Sequence, residues 1–399
     1  ILSPLTIYHQ PLAIWRLSRT MNSRDWQIGR ILGIPIKVHV SWFLVFGFVT
    51  WSLSTGYLPE TVPGLSIPRY WFMGGVAALL LFGSVLLHEL GHSYVALRYR
   101  IPIEQITLFI FGGVAQMNRE PPGPRAEFLI AIAGPIVSFV LGGLLFGLAA
   151  AAHAKPGLVA LGSLLGFVNL NLGLFNLIPG FPLDGGRVLR AGLWAWSGDF
   201  YQATRHASVA GQGFGVLFAL FGAVLVIGAA LGSMPGPLAA NGGWIVLIGL
   251  FLFAVARGSR RQAALRASLA KMVVGDLMVR DVVTVSPDLS VEEAVSQLFL
   301  RHGYGGFPVC EDGHVIGMVT IRDVQTLPQS LWPSRRVRDI MQPWSNAMEV
   351  TPDTPAITAL EQMLREGQSR LAVVQDGRLV GLVTRSGISR FLQLRGLQR

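Results

Sequence analysis

Residues 71–97 read WFMGGVAALLLFGSVLLHELGHSYVAL, an apolar run with His88, Glu89 and His92 toward its end. A membrane-crossing helix needs about 20 mostly apolar residues, so this stretch predicts a helical span. On a helix, positions i and i+4 share a face. His88 and His92 can therefore turn both imidazoles toward one metal ion, with Glu89 beside them to hold a water. Ionisable groups inside a span are costly, and by default they mark a functional site. The His-Glu-Leu-Gly-His run predicts two histidines on zinc and Glu89 as the general base of a peptide hydrolysis.

Similar runs flank it. Spans are expected at 38–54, 71–97, 127–152, 157–178, 206–232 and 243–257, six in all. Half of the 399 residues are apolar and only 14% are charged, against about 25% in ordinary soluble domains. The mean hydropathy is +0.51. Residues 257–399, by contrast, read as soluble sequence. The net charge of +10 sits beside the spans rather than on one amphipathic face, so orientation in a bilayer explains it and nucleic-acid binding is not expected. With the N-terminus inside, cytoplasmic segments carry Arg24, Arg30, Lys37, Arg98, Arg100, Arg119, Arg125, Arg187, Arg190, Arg205, Arg257, Arg260, Arg261 and Arg266. The outer segments carry only Arg69 and Lys155. That asymmetry places both termini in the cytoplasm. His88 then lies deep in the second span, on its cytoplasmic half.

Residues 101–118, IPIEQITLFIFGGVAQMN, are apolar but too short to cross. Their β-branched residues and the Gly112-Gly113 signal predict a re-entrant β-hairpin. A transmembrane substrate must unwind before it is cut, and an exposed strand at Gly112–Gln116 could capture it by strand addition. Gly112 and Gly113 are thus expected at the substrate.

A catalytic zinc takes three protein ligands. Glu104, Glu127, Asp184 and Asp199 are the carboxylates weighed for the third place. Asp184 stands out because the run Asn176-Leu177-Ile178-Pro179-Gly180-Phe181-Pro182-Leu183-Asp184-Gly185-Gly186 breaks the helix and can turn a carboxylate inward. The competing reading makes Asp184 the cap of the helix that follows.

The tail holds an internal repeat. Asp276-Leu277-Met278 recurs as Asp339-Ile340-Met341, Val285-Ser286-Pro287-Asp288 as Val350-Thr351-Pro352-Asp353, and Gly317-Met318-Val319-Thr320 as Gly381-Leu382-Val383-Thr384. The period is about 64 residues. Each unit predicts an amphipathic helix (Val291–His302; Ile357–Glu366), then two strands joined at Asp312-Gly313 and Asp376-Gly377. The single cysteine, Cys310, excludes a disulfide framework and reads as an inert, buried strand thiol.

The histidine motif and the Asn176–Gly186 segment together resemble the site-2 protease family of intramembrane zinc metalloproteases, over about residues 30–257. The resemblance implies His88, His92 and Asp184 as ligands of one zinc per chain and Glu89 as the base. Asn176 becomes the active-site asparagine, orienting substrate or the developing oxyanion. The alternative for Asn176, and the preferred reading for Asn169 and Asn171, is an interhelical hydrogen bond. The tail resembles a pair of cystathionine β-synthase (CBS) modules, which implies ATP or AMP as a regulatory ligand at Thr320 and Asp323. In the second repeat Gly387 stands where the aspartate would be, so that pair is incomplete. The other reading of the pair is a platform for homodimerisation.

The expected architecture is a mainly α-helical polytopic membrane protein with a small re-entrant hairpin, followed by an α+β CBS pair. Its parts are an extension and leader (1–37), a transmembrane metalloprotease domain (38–257), a linker (258–271), and CBS repeats at 272–328 and 334–395. Residues 1–20, ahead of the first methionine, read as an extension. The expected partners are membrane lipid and a transmembrane protein substrate, such as a membrane-anchored regulator of a transcription factor. The expected location is a bacterial or archaeal plasma membrane. Two rivals are a CBS-regulated metal or ion transporter and an inactive scaffold.

Overall fold

A computed structural model describes residues 25–396, apart from Phe111, Asn118, Met234, Gly236, Lys271, Asn346 and Ala347. The extension expected at 1–20 lies outside the described residues. The chain divides into two compact units, Ile1–Ala263 and Ala264–Arg399.

The first unit opens with two strands, β1 (Asp25–Ile31) and β2 (Ile34–His39). They lie where only a leader and the start of a span were expected. Ile34, Ile36 and Val38 alternate as the buried face of β2, the period of a half-buried strand. The turn between them puts Leu32 at φ 53° and Gly33 at φ 79°. Leucine is an unusual residue there, so the turn carries no Asn-Gly or Asp-Gly signature. Helical backbone then runs from 40 to 61, as α1 (Val40–Ser52), a π-helical turn (Leu53–Tyr57) and α2 (Leu58–Thr61). The first expected span thus starts at Val40 and is interrupted by the π turn.

α3 (Ile67–Arg98) carries the histidine motif. The expected hairpin forms as β3 (Ile103–Phe109) and β4 (Gly112–Met117). It joins the first two strands in one sheet of order β1-β2-β3-β4. β2 and β3 run parallel, as the helical crossover between them allows. The sheet lies against α3 beside the motif: Ile34, Ile36, Ile106 and Ala115 pack with Leu90. The remaining helices are α4 (Pro124–Ala151), α5 (Pro156–Asn176), α6 (Asp184–Ser197), α7 (Phe200–Ala230) and α8 (Pro237–Ala270). α8 continues well past the expected end of the last span at 257, so the segment expected as linker is helical as far as Ala270.

Among the described residues, five helices are long and apolar enough to cross a membrane: α3, α4, α5, α7 and most of α8. Only 11% of the most apolar window of α7 is buried, and Leu217, Leu220 and Val224 are exposed. An apolar helix with an uncovered apolar surface is placed for lipid.

In the second unit the repeat is visible as two similar hairpins, each extended to a three-stranded sheet by a short strand on a different side. One sheet is β5 (Gly306–Glu311), β6 (His314–Thr320) and β7 (Gln342–Pro343); the other is β8 (Glu349–Val350), β9 (Arg370–Gln375) and β10 (Arg378–Thr384). Both hairpins turn where expected, with Asp312, Gly313, Asp376 and Gly377 all at positive φ, the conformation that type I′ turns require. Helical backbone at 291–302 and over Ala356–Arg365 precedes the respective hairpins. Phe307, Val309 and Val319 centre one core, and Met363, Leu371 and Val373 the other. Cys310 lies in β5 and is half-buried, and burial pushes its thiol pKa up.

Candidate metal centre

α3 places His88 and His92 one turn apart, and both are buried. Their Nε2 atoms are 3.2 Å from each other, and each is 3.1 Å from Asp184 Oδ2. Asp184 reaches them as the first residue of α6, presented by the Pro/Gly turn after α5. Its side chain makes no cap; Oδ2 faces the histidines instead. Of the carboxylates weighed for a third ligand, only Asp184 stands within reach of both rings among the described residues. Glu127 is engaged elsewhere, in ion pairs with Arg187 and Arg190.

The remaining ring nitrogens decide what this trio can hold. His92 Nδ1 lies 2.7 Å from the Ile130 carbonyl. A carbonyl only accepts, so Nδ1 carries the proton; in the neutral imidazole Nε2 is then the lone-pair nitrogen, the tautomer a metal needs. His88 Nδ1 is likewise occupied, 2.9 Å from Ser138 Oγ. Two imidazole nitrogens and a carboxylate converging in a buried interior are a donor set for a divalent cation. Ligand atoms bonded to a tetrahedral zinc at about 2.0–2.1 Å stand roughly 3.3 Å apart, close to the separations seen here. Gly134 supplies the room. A Cβ there would lie 2.2 Å from His92 Nε2 and 2.7 Å from His88 Nε2. The residues present therefore fit a zinc ion.

Glu89 lies beside the trio, 4% exposed. β4 crosses close to it: a Cβ on Gly113 would meet Glu89 Cγ at 2.6 Å. The hairpin is thus tied to the motif by a glycine that has no room for a side chain. Gly112 opens the same strand at φ 130°.

Asn176 ends α5, fully buried; its Nδ2 donates to the Leu172 carbonyl at 2.9 Å, and its Oδ1 has no hydrogen-bond partner. Among the described residues its amide nitrogen makes no interhelical bond. Asn169 does, donating to Ser84 Oγ on α3 at 3.0 Å. Asn171 departs from the same expectation: it is exposed and donates within its own helix to Phe167, because its position faces away from the neighbouring helices. Ser138, the Ile130 carbonyl and Gly134 escaped the sequence reading. A backbone acceptor leaves no trace in sequence, and a glycine or serine in an apolar helix looks like packing.

The model of peptidase family M50 matches residues 76–155 and 147–220, and the CBS domain model matches 274–328 and 337–394. Rip3 of Mycobacterium tuberculosis, named as a zinc metalloprotease, is 35% identical over 373 residues, covering 92% of each chain. The Methanocaldococcus jannaschii zinc metalloprotease MJ0392 is 33% identical over 365 residues, covering 92% of this chain and 95% of its own. This chain belongs to the M50 metalloproteases, the site-2 protease type.

Among solved structures, the site-2 protease from Methanocaldococcus jannaschii aligns at 34% identity over 59% of this chain and 95% of its own, with a TM-score of 0.41. On its family match and its curated relatives, the protease described here is a zinc metalloprotease, with tandem CBS domains following its catalytic half in the chain. In its first CBS repeat, Thr320 and Asp323 face each other. Thr320 Oγ1 donates to Asp323 Oδ2 at 2.6 Å, and the Asp323 amide returns a bond to Thr320 Oγ1. The pair caps a short helix (Ile321–Gln325). Gln342 Nε2 donates to the second carboxylate oxygen at 3.1 Å. In the second repeat Gly387 offers only its amide, which donates to Thr384 Oγ1.

Proposed function

We propose that this protease cleaves a membrane-anchored protein within or beside its transmembrane segment, using His88, His92 and Asp184 as the ligands of one zinc and Glu89 as the general base. The observation that carries the reading is the convergence of three buried ligand atoms on α3 and α6, each imidazole held from behind by α4. Zinc bound there supplies Lewis-acid polarisation of the scissile carbonyl and lowers the pKa of its water. Glu89 accepts the proton of the attacking water on its carboxylate and passes it to the leaving nitrogen. Burial keeps bulk water out and strengthens the field at the reacting carbonyl. Asn176 offers its unpartnered Oδ1 to a substrate backbone N–H. β4, at the outside of the sheet and against Glu89, is suited to take the unwound substrate as an added strand, starting at Gly112 and Gly113.

The protease domain takes in residues 38–257 together with the strands ahead of it. The membrane is the plasma membrane, with both termini cytoplasmic. Arg187 and Arg190 drop out of the charge comparison because they are buried, yet the excess of positive charge inside persists without them. The CBS repeats at 272–328 and 334–395 bind ATP or AMP at Thr320 and Asp323, and pair two copies of the chain. Cleavage of a single-span substrate by purified enzyme, wild type against Glu89→Gln, tests the reading. Loss of cleavage by at least 10³-fold with zinc content unchanged is expected, given the rate contribution of a general base together with water activation. Cleavage by the variant at a wild-type rate would overturn it.

A further inference from the structure

We propose that Glu127, with Arg187 and Arg190, forms the positioning cluster that holds Asp184 at the two histidines. The proposal rests on the reading of His88, His92 and Asp184 as the zinc ligands. Glu127 is fully buried on α4, and its Oε1 accepts from Arg187 Nε at 3.0 Å and from Arg190. Arg187 and Arg190 follow Asp184 on the same helix and are themselves buried. Buried charges of this kind persist only when paired, because each is expensive to desolvate. Three such residues beside a metal centre need a reason beyond orientation of the chain.

The reason lies in the faces of the helices. Glu127, Ile130, Gly134 and Ser138 follow at helical spacing along one face of α4. From that face the Ile130 carbonyl holds His92, Ser138 holds His88, Gly134 leaves the space between them, and Glu127 grips α6. One helix face thus gauges both histidines and the element that bears the third ligand. Arg190 extends the grip. Its guanidinium carbon stands 4.9 Å from the centroid of Phe181, in the turn that delivers Asp184, and 4.7 Å from that of Phe200, at the start of α7. Asp184 is 96 residues from His88 in sequence and arrives on a Pro/Gly-rich turn. Nothing in that turn's covalent structure fixes its distance from α3, whereas the ion cluster fixes α6 against α4.

The test is zinc affinity and coordination geometry in the full-length enzyme in detergent. Zinc is titrated against a competing chelator for wild type, Glu127→Gln, Glu127→Asp, Arg187→Lys and His88→Ala, and the ligand-field absorption of each Co(II)-loaded form is recorded. Glu127→Gln and Arg187→Lys are expected to weaken zinc about 10–100-fold, the usual cost of losing support behind a ligand. The Co(II) bands should move, and Glu127→Asp should restore part of both. A purely structural cluster would lower the melting temperature and leave affinity and bands alone. Wild-type affinity and spectrum in folded Glu127→Gln or Arg187→Lys overturn the proposal. Failure of all the cluster variants to fold assigns the cluster to folding alone and overturns it too. His88→Ala separates the premises: if it keeps wild-type zinc affinity the ligand reading fails, and if it alone loses zinc only the positioning role fails.

Discussion

At the scale of single residues, the centre depends as much on what is absent as on what is present. Gly134 is a helix-interior glycine, where alanine ordinarily gains up to about 1 kcal/mol of helix propensity. Here the added methyl would sit 2.2 Å from a ligand nitrogen. Gly134→Ala is therefore expected to cost at least tenfold in zinc affinity even if α4 becomes intrinsically more stable. Metal analysis after dialysis, alongside a melting curve of the apo form, checks it; retention of full zinc would refute it. Thr320 raises the opposite question. Its hydroxyl and the Asp323 carboxylate satisfy each other as a helix cap. Thr320→Ala is expected to destabilise the tail by about 1 kcal/mol without any nucleotide present. Calorimetry of the protein with and without AMP separates that cost from lost binding, which appears only as a missing ligand-dependent shift.

Among the elements, the strand–helix contact at Gly113 is the most exposed to test. Any side chain there presses on Glu89, so Gly113→Ala is expected to lower kcat at least tenfold while zinc content stays at wild type. An unchanged kcat would show that Glu89 can yield. Strand capture makes a separate forecast. With Cys310→Ser as background, a cysteine at Gln116 should crosslink to successive single-cysteine positions of a substrate with yields that alternate with a period of two, as strand geometry dictates. Even or helical-period yields would exclude strand addition at β4. α8 carries a related lesson. Residues 258–270 look like a polar linker because their arginines break the apolar run, yet the helix continues through them. Hydrophobicity marks where lipid ends, and helix-forming alanine, arginine and glutamine carry the backbone further.

For the whole molecule, a catalytic membrane unit and a repeat-built CBS pair share one chain. If the CBS pair senses adenine nucleotide, ATP or AMP near saturation is expected to change the cleavage rate of the wild type by several-fold and to leave an Asp323→Ala variant unmoved. Rates measured across a nucleotide titration decide it; identical responses in the two proteins would remove Asp323 from the ligand site. The effect is bounded by the nucleotide's differential affinity for the two states of the enzyme.

The sequence by itself determined the kind of molecule and most of its chemistry. Five of the six expected spans follow from apolar length, whereas 38–54 yields a shorter helix; the repeat follows from its period and the hairpin turns from Asp-Gly. The histidine pair follows from helical spacing, and all of these are local signals. The strands at 25–39 fall in what reads as a leader, and the turn at Leu32-Gly33 carries no Asn-Gly or Asp-Gly signature to mark them. What the tertiary structure alone decided is long-range. It brought Asp184 to the histidines, backed each imidazole with α4, and set Gly113 against Glu89. It also turned Glu127, Arg187 and Arg190 from apparent boundary charges into a buried cluster. Such contacts join residues far apart in the chain. They depend on which helix faces meet, a property of packing that no local pattern encodes.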